Sequence, residues 1–276
     1  MKLFYYCVWI LIWPFTAAGA LEITSPSAIL SFGIGPQQSP SELAKNWAPI
    51  IRHISRESGV PLEFATAKDI PAYQQKMESG LYDIAYINPY HYVTFNQTTG
   101  YTAFAKQENG TFVSIVVVRK DSPAMKLEDL DGKQLASPSP TALVNMLALS
   151  HLKNKSINIT PSYVVSLDSV YRSVAKNLFA AGIAEARTFN TIDPEVRNQL
   201  RILWSSDPLP PFAFSAHPRV PKATLQKIQT AMLNMTKTPQ GISLLKAVNF
   251  NGFIASHDSD YDAVRALKLS APAFPP

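Results

Sequence analysis

Strand-like runs alternate with helix-periodic segments along nearly all of this chain, and that order predicts an α/β architecture on parallel sheets. Residues 29–34 read as a strand and Gly35-Pro36 as a turn. Leu43, Trp47, Ile50, Ile51 and Ile54 then recur at helical spacing until Gly59, with Pro49 expected to kink the helix. A strand over 61–67, a helix over 71–79 closed by Gly80 and a strand over 82–87 complete a first lobe. The β-branched run 111–119 reads as a crossover to a second lobe. There the pattern restarts, with strands at 134–137, 162–166, 181–184 and 201–205 and helices at 140–152 and 169–177. The proline-rich stretch 207–211 leads into a return crossover at 212–216, and helices over 221–235 and 239–248 should pack back on the first lobe. The expected layout is therefore lobe one over 21–118 and 213–276, lobe two over 119–212, and a hinge at 117–119 and 212–216.

The first twenty residues belong to neither lobe. Met1-Lys2 gives a basic start, residues 3–15 carry no charge, and Thr16-Ala17-Ala18-Gly19-Ala20 supplies a small-residue exit, the pattern of a cleavable secretion signal. Pro14 breaks the run, which is shorter than the roughly 20 apolar residues that span a bilayer. Cleavage after Ala20 removes the single cysteine, Cys7, so the exported chain has no thiol and offers neither a cysteine nucleophile nor a Cys-based metal site. That suits an oxidising periplasm and predicts a soluble monomer. The formal charge of +5 comes from scattered Lys and Arg without a recognisable nucleic-acid module, so small anions rather than nucleic acid are the expected partners.

Ligands of open α/β sheets lie off the carboxyl ends of the strands, which directs attention to the strand-to-helix junctions. Ser39-Pro40, Asn88-Pro89 and Ser139-Pro140 each place a capping side chain before proline, the order expected at a helix start. Ser39 with Glu42 adds a capping-box pattern. Three such starts aimed into one cleft would suit a tetrahedral anion, and Ser137, Ser139 and Thr141 gather three hydroxyls at one of them. Each pair could equally be a simple cap. The segment Phe32-Gly33-Ile34-Gly35-Pro36 lacks the third glycine of a dinucleotide fingerprint and is read as a turn. No G-x-S-x-G, H-E-x-x-H or phosphate-loop motif occurs, and the five histidines are dispersed, so neither an enzyme nor a cofactor is expected. His91, beside Tyr90 and Tyr92, reads as a packed histidine. Asp168 reads either as the cap of its helix or as an acceptor for a solute proton.

The stretches at 32–39, 83–92, 117–123 and 168–172 carry a resemblance to the PhnD-type family of phosphate, phosphite and phosphonate binding proteins that feed ABC transporters. The resemblance covers almost the whole exported sequence. It implies a type II periplasmic-binding fold, two α/β lobes joined by two crossover segments, with the solute held between the lobes and an ABC permease in the inner membrane as partner. It also implies site residues: Tyr86, Asn88 and Tyr90 in the 83–92 stretch, and Ser139-Pro140-Thr141 where relatives carry Ser-Thr-Ser. Two departures accompany it. Leu167, ahead of Asp168, replaces the family's histidine, and Arg187 with Phe212 stands where aminoalkyl-phosphonate binders place carboxylates. An ammonium group would find no partner there, so a compact oxyanion, or a phosphonate with an uncharged substituent, is the expected solute. The rival class is a sensory or accessory protein that presents its solute to a membrane kinase or exporter.

Overall fold

The computed structural model describes Met1, residues 28–164 and residues 166–269. The expected secretion signal and the apolar tail 271–276 lie outside the described residues. Two sheets form the frame, six-stranded in one lobe and five-stranded in the other. In the first lobe, β1 (Leu30–Ile34) leads to α1 (Pro40–Ser58), β2 (Leu62–Ala65), α2 (Ile70–Glu78), β3 (Ile84–Ile87), α3 (Pro89–Thr98) and β4 (Thr102–Gln107). The second holds β5 (Ser114–Arg119), β6 (Gln134–Ser137), α4 (Leu143–Asn154), β7 (Thr160–Tyr163), α5 (Leu167–Ala175), β8 (Ala181–Glu185), α6 (Ala186–Thr191) and β9 (Leu200–Ser205). The chain then returns through β10 (Ala213–Ala216) and β11 (Phe253–Ala255), with helices Lys222–Leu233 and Pro239–Ala247 between them.

The sheets are mixed rather than parallel. In lobe one β1 runs parallel to β2 and β3, while β10 is antiparallel to β3 and β4; in lobe two β6 runs parallel to β7 and β8, while β5 is antiparallel to β8 and β9. Direction explains this. The parallel strands end at the cleft, so a strand that enters its lobe from the cleft must run the other way, as β5 and β10 do.

That same fact corrects the expected boundaries. Residues 114–119 are the central partner of β8 and β9 and belong to lobe two, whereas the crossover had been expected at 117–119. Residues 213–216 are likewise a strand of lobe one. The chain crosses between the lobes over 108–113 and 206–212, and the two crossings are tied to each other. Phe112 N–H donates to the Leu209 carbonyl and Leu209 N–H to the Phe112 carbonyl, both at 2.8 Å. A β-branched run reads the same in a sheet centre as in a crossover, and only pairing tells them apart.

Each sheet is buried by its helices. Leu43, Trp47, Ile50, Ile51 and Ile54 of α1 are all buried against lobe one, as their spacing predicts, and α1 runs unbroken through Pro49 to Gly59, whose φ of 65° ends it in the left-handed region. In lobe two Val170, Tyr171 and Val174 of α5 are fully buried and lie against β8, where Gly182 leaves room for Val170. A Cβ on Gly182 would stand 2.6 Å from a Val170 methyl. Among the described residues no helix is long and apolar enough to cross a membrane, and no cluster of His, Cys, Asp and Glu could hold a metal ion.

Candidate functional site

The helices α1 to α5 all start at the cleft, four of them capped by a side chain and one, α4, not. Ser39 Oγ accepts from Glu42 N–H at 3.4 Å and Asn88 Oδ1 accepts from His91 N–H at 2.9 Å, so the first two Ser/Asn-Pro junctions cap α1 and α3 as expected. The third does not. Helix α4 begins at Leu143 behind Ala142, which has no side-chain cap, and Ser139-Pro140 lies in the preceding turn. Two prolines within four residues hold 138–141 out of helical geometry, which delays the helix by a turn.

Between the lobes lies a cavity of about 50 Å³ lined by both. Lobe one contributes Gly35, Gln37, Ile70, Tyr86 and Asn88; lobe two contributes Pro138, Ala142, Leu143, Val144, Leu167 and Glu185, with Phe112 and Phe212 from the crossings. The volume suits a few waters or one compact anion and is far below the roughly 300–1,000 Å³ of a drug-sized pocket. Its walls are mostly apolar, and its polar groups are few and placed: Asn88, His91, Gln37, Glu185 and the open start of α4.

The hydroxyls of Ser139 and Thr141 form a relay that ends on the opposite lobe. Thr141 Oγ1 donates to Gln74 Oε1 on α2 at 2.9 Å, which leaves the Ser139 hydroxyl to donate to Thr141 Oγ1 at 3.1 Å, and Ser139 Oγ accepts from Thr141 N–H at 3.3 Å. Ser137 is turned away, donating to Asn145 Oδ1 at 2.9 Å. Above the relay, His91 bridges the lobes as well. Asn88 Nδ2 faces its Nδ1 at 2.8 Å, and the ring Nε2 lies 3.1 Å from the Thr141 carbonyl. Gln74 Nε2 makes a hydrogen-bond contact with the same Nε2. Burial lowers the His91 pKa to about 4, so the imidazole is neutral at neutral pH. His91 is thus buried, as its aromatic setting suggests, but at the lobe interface.

At the far wall Glu185 and Arg187 form a buried pair, with Nε to Oε1 at 3.3 Å and Nη2 to Oε2 at 3.4 Å. Burial pushes the Glu185 carboxyl upward and the guanidinium opposes it. Arg187 also donates to Gln37 of lobe one and lies over the rings of Phe212 and Phe250, 5.7 and 6.0 Å from their centroids. It therefore reaches the cleft region but spends its charge on protein.

The other expected residues divide. Tyr86 lines the cavity and is stacked on Phe214 at 4.4 Å, with burial raising its pKa. Tyr90 meets the His91 ring from outside the cavity lining. Asp168 is turned to Arg172, one turn along α5, at 2.8 Å; the cap of α5 is Ser166, and Leu167 is the residue that reaches the cavity. A carboxylate at the second helical position points along the helix flank, where the nearest cation is its i+4 neighbour.

Sequence reasoning missed Gln37, Gln74 and Glu185. Glu185 ends β8, the position where the junction rule would have found it had the strand been extended one residue. Gln37 lies in the first junction, between Pro36 and the cap, where an amide carries no motif. Gln74 sits mid-helix and gains its role only from the other lobe.

A family model for the periplasmic substrate-binding proteins of phosphonate ABC transporters matches residues 32–261. The chain belongs to that family. Among curated proteins it is similar to the phosphonates-binding periplasmic protein of Escherichia coli K12, 24% identical over 256 residues, covering 87% of this chain and 76% of the relative. It is also similar to the phosphate-import protein PhnD of Mycolicibacterium smegmatis, 23% identical over 286 residues, covering 91% of this chain and 86% of the relative. Among solved structures, PhnD1 of Prochlorococcus marinus in complex with methylphosphonate superposes with a TM-score of 0.79 at 15% identity, covering 87% and 96% of the two chains. That likeness shows the fold, the two-lobed type II periplasmic-binding arrangement.

Proposed function

We propose that this phosphonate-binding family member captures a small phosphorus oxyanion, a short alkylphosphonate or phosphite in preference to phosphate, in the interlobe cavity and delivers it to an ABC permease from the periplasm, working as a monomer. The observation that carries the reading is the cavity itself, lined by both lobes, with apolar walls around the one uncapped helix start among α1 to α5. Oxyanion oxygens take the free amides of α4 and the end of the Ser139–Thr141 relay now bonded to Gln74, while Asn88 and Tyr86 form the lobe-one wall. Ser137 and Tyr90 support these residues from behind.

The apolar walls favour a P–CH3 or P–H group over a fourth oxygen. Burying one methyl contributes about 0.8 kcal/mol, roughly fourfold in affinity, before the cost of desolvating the extra oxygen is counted. Glu185 can only accept while ionised, so a ligand that keeps a P–OH proton has a partner there and sulfate meets like charge. With Arg187 committed to Glu185, a dianion finds little compensating charge, and an ammonium substituent finds no free carboxylate.

Titration calorimetry with methylphosphonate, phosphite, phosphate, sulfate and 2-aminoethylphosphonate tests this. Methylphosphonate and phosphite should bind most tightly and sulfate most weakly. Tightest binding of the aminoethyl compound, or no binding of any phosphorus oxyanion, would overturn the proposal.

A further inference from the structure

We propose that Gln37 determines specificity by touching the ligand: its side-chain Nε2 donates to an oxygen of the bound phosphorus oxyanion, and the Glu185–Arg187 pair holds the amide in that orientation. The inference rests on the oxyanion reading above and adds a residue to it.

Two facts coincide at Gln37. Its Nε2 is buried and has no hydrogen-bond partner among the described residues, and the residue lines the interlobe cavity. A buried donor left unpaired is destabilising, so such groups call for an explanation, and a ligand oxygen supplies one. A carboxamide has an accepting end and a donating end, and rotation by half a turn exchanges them. Here the exchange is blocked. Arg187 carries donors only and donates to Gln37 Oε1, so the oxygen is fixed toward the guanidinium and the NH2 toward the other side. Arg187 in turn is set by both oxygens of Glu185, at 3.3 and 3.4 Å, and lies over the rings of Phe212 and Phe250. Every member of this chain is anchored except the last donor.

The arrangement also spans the lobes, since Gln37 precedes α1 and Arg187 begins α6 in the other lobe. The amide therefore reaches its donating orientation only when the lobes close. Glu185 and Arg187 are positioning residues in this account. Gln37 alone makes the contact.

The bland alternative is that Gln37 is merely a clasp for Arg187, and two readouts separate the ideas. With nitrogen-15-labelled protein and methylphosphonate, the contact predicts a through-hydrogen-bond coupling from the Gln37 side-chain nitrogen to phosphorus-31, and a downfield shift of its amide protons on saturation. A clasp moves neither. In calorimetry Gln37→Met should weaken methylphosphonate binding about tenfold or more, as expected for a hydrogen bond lost to a charged group. Arg187→Met should also weaken it, and adding it to Gln37→Met should cost little more, because the orienting residue acts through the amide. If wild type binds methylphosphonate yet shows no coupling and no shift at Gln37, or if Gln37→Met binds equally well, this inference is overturned and the oxyanion reading stands. If wild type binds no member of the oxyanion panel, both fall.

Discussion

The helix starts of the two lobes face the same cavity, and the lobes differ at one junction. In lobe one, Ser39, Asp69 and Asn88 each cap a helix through a side-chain oxygen, at 3.4, 2.8 and 2.9 Å. In lobe two, Ser166 caps α5 at 3.2 Å, whereas α4 begins behind Ala142 with no side-chain cap, and the nearby Thr141 hydroxyl is directed across the cleft. A cap consumes the N–H groups that would otherwise meet an anion. These three junctions of lobe one are thus all closed by caps, and lobe two keeps the start of α4 open.

The sharpest way to break that contrast is through pH. His91 of lobe one meets the Thr141 carbonyl of lobe two through Nε2 as a neutral ring, with a folded pKa of about 4 against about 6.5 when exposed. The unfolded chain takes the proton first, so this contribution is complete above about pH 6.5 and is lost as pH falls toward 4. The loss should reach about 3 kcal/mol. Thermal melts between pH 7 and 4 should fall steeply in wild type and less steeply in His91→Asn; parallel curves would remove His91 from the interface.

Next in size, Thr141→Val removes the last donor of the relay and should weaken oxyanion binding by about 1.5–3 kcal/mol, with Ser139→Ala nearer the lower end. Calorimetry with methylphosphonate reads both. Because Ser139 does not cap α4, Ser139→Ala should not lower the melting temperature as a lost cap would, whereas Thr141→Val leaves buried Gln74 Oε1 without its donor and should lower it. A third comparison is smaller: Asn88→Ala should cost about 1 kcal/mol of stability and Ser39→Ala somewhat less, since Ser39 is exposed and its bond is longer. Equal melting temperatures for wild type and Asn88→Ala would refute the capping role.

The smallest effect expected is at Asp168. Its pairing with Arg172 predicts that Asp168→Asn costs no more than about 0.5 kcal/mol and leaves the discrimination against sulfate unchanged. Competition binding of sulfate against phosphite in both proteins decides this. A change in the ratio would bring Asp168 back to the cleft.

How much of this could be read from the sequence follows the range of the interactions. The apolar repeat of α1, the caps Ser39 and Asn88, and strand β6 were legible because each is decided by neighbours within a few residues. Strands β4 and β11 were not, since short segments such as Thr102–Gln107 show no clean alternation and owe their pairing to distant partners. The placement of 114–119 failed for the same reason. The Ser139–Thr141 hydroxyls stood out by their clustering in the sequence. Gln37, Gln74 and Glu185 did not, because an amide or a carboxylate becomes informative only when the fold brings the opposite lobe to it.

The two reciprocal hydrogen bonds between Phe112 and Leu209 have a mechanical result. Two independent strings between bodies permit rotation about many axes, but two strings tied at their midpoints form a ribbon, which bends across its flat face and resists shear and twist. The lobes should accordingly open along a single angular coordinate. A search confined to one coordinate has few misaligned states, so less orientational entropy is lost when Thr141 meets Gln74 and Arg187 meets Gln37 at closure. Residual dipolar couplings measured with and without methylphosphonate would show it as rotation about one common axis; scattered axes would mean the tie does not hold in solution.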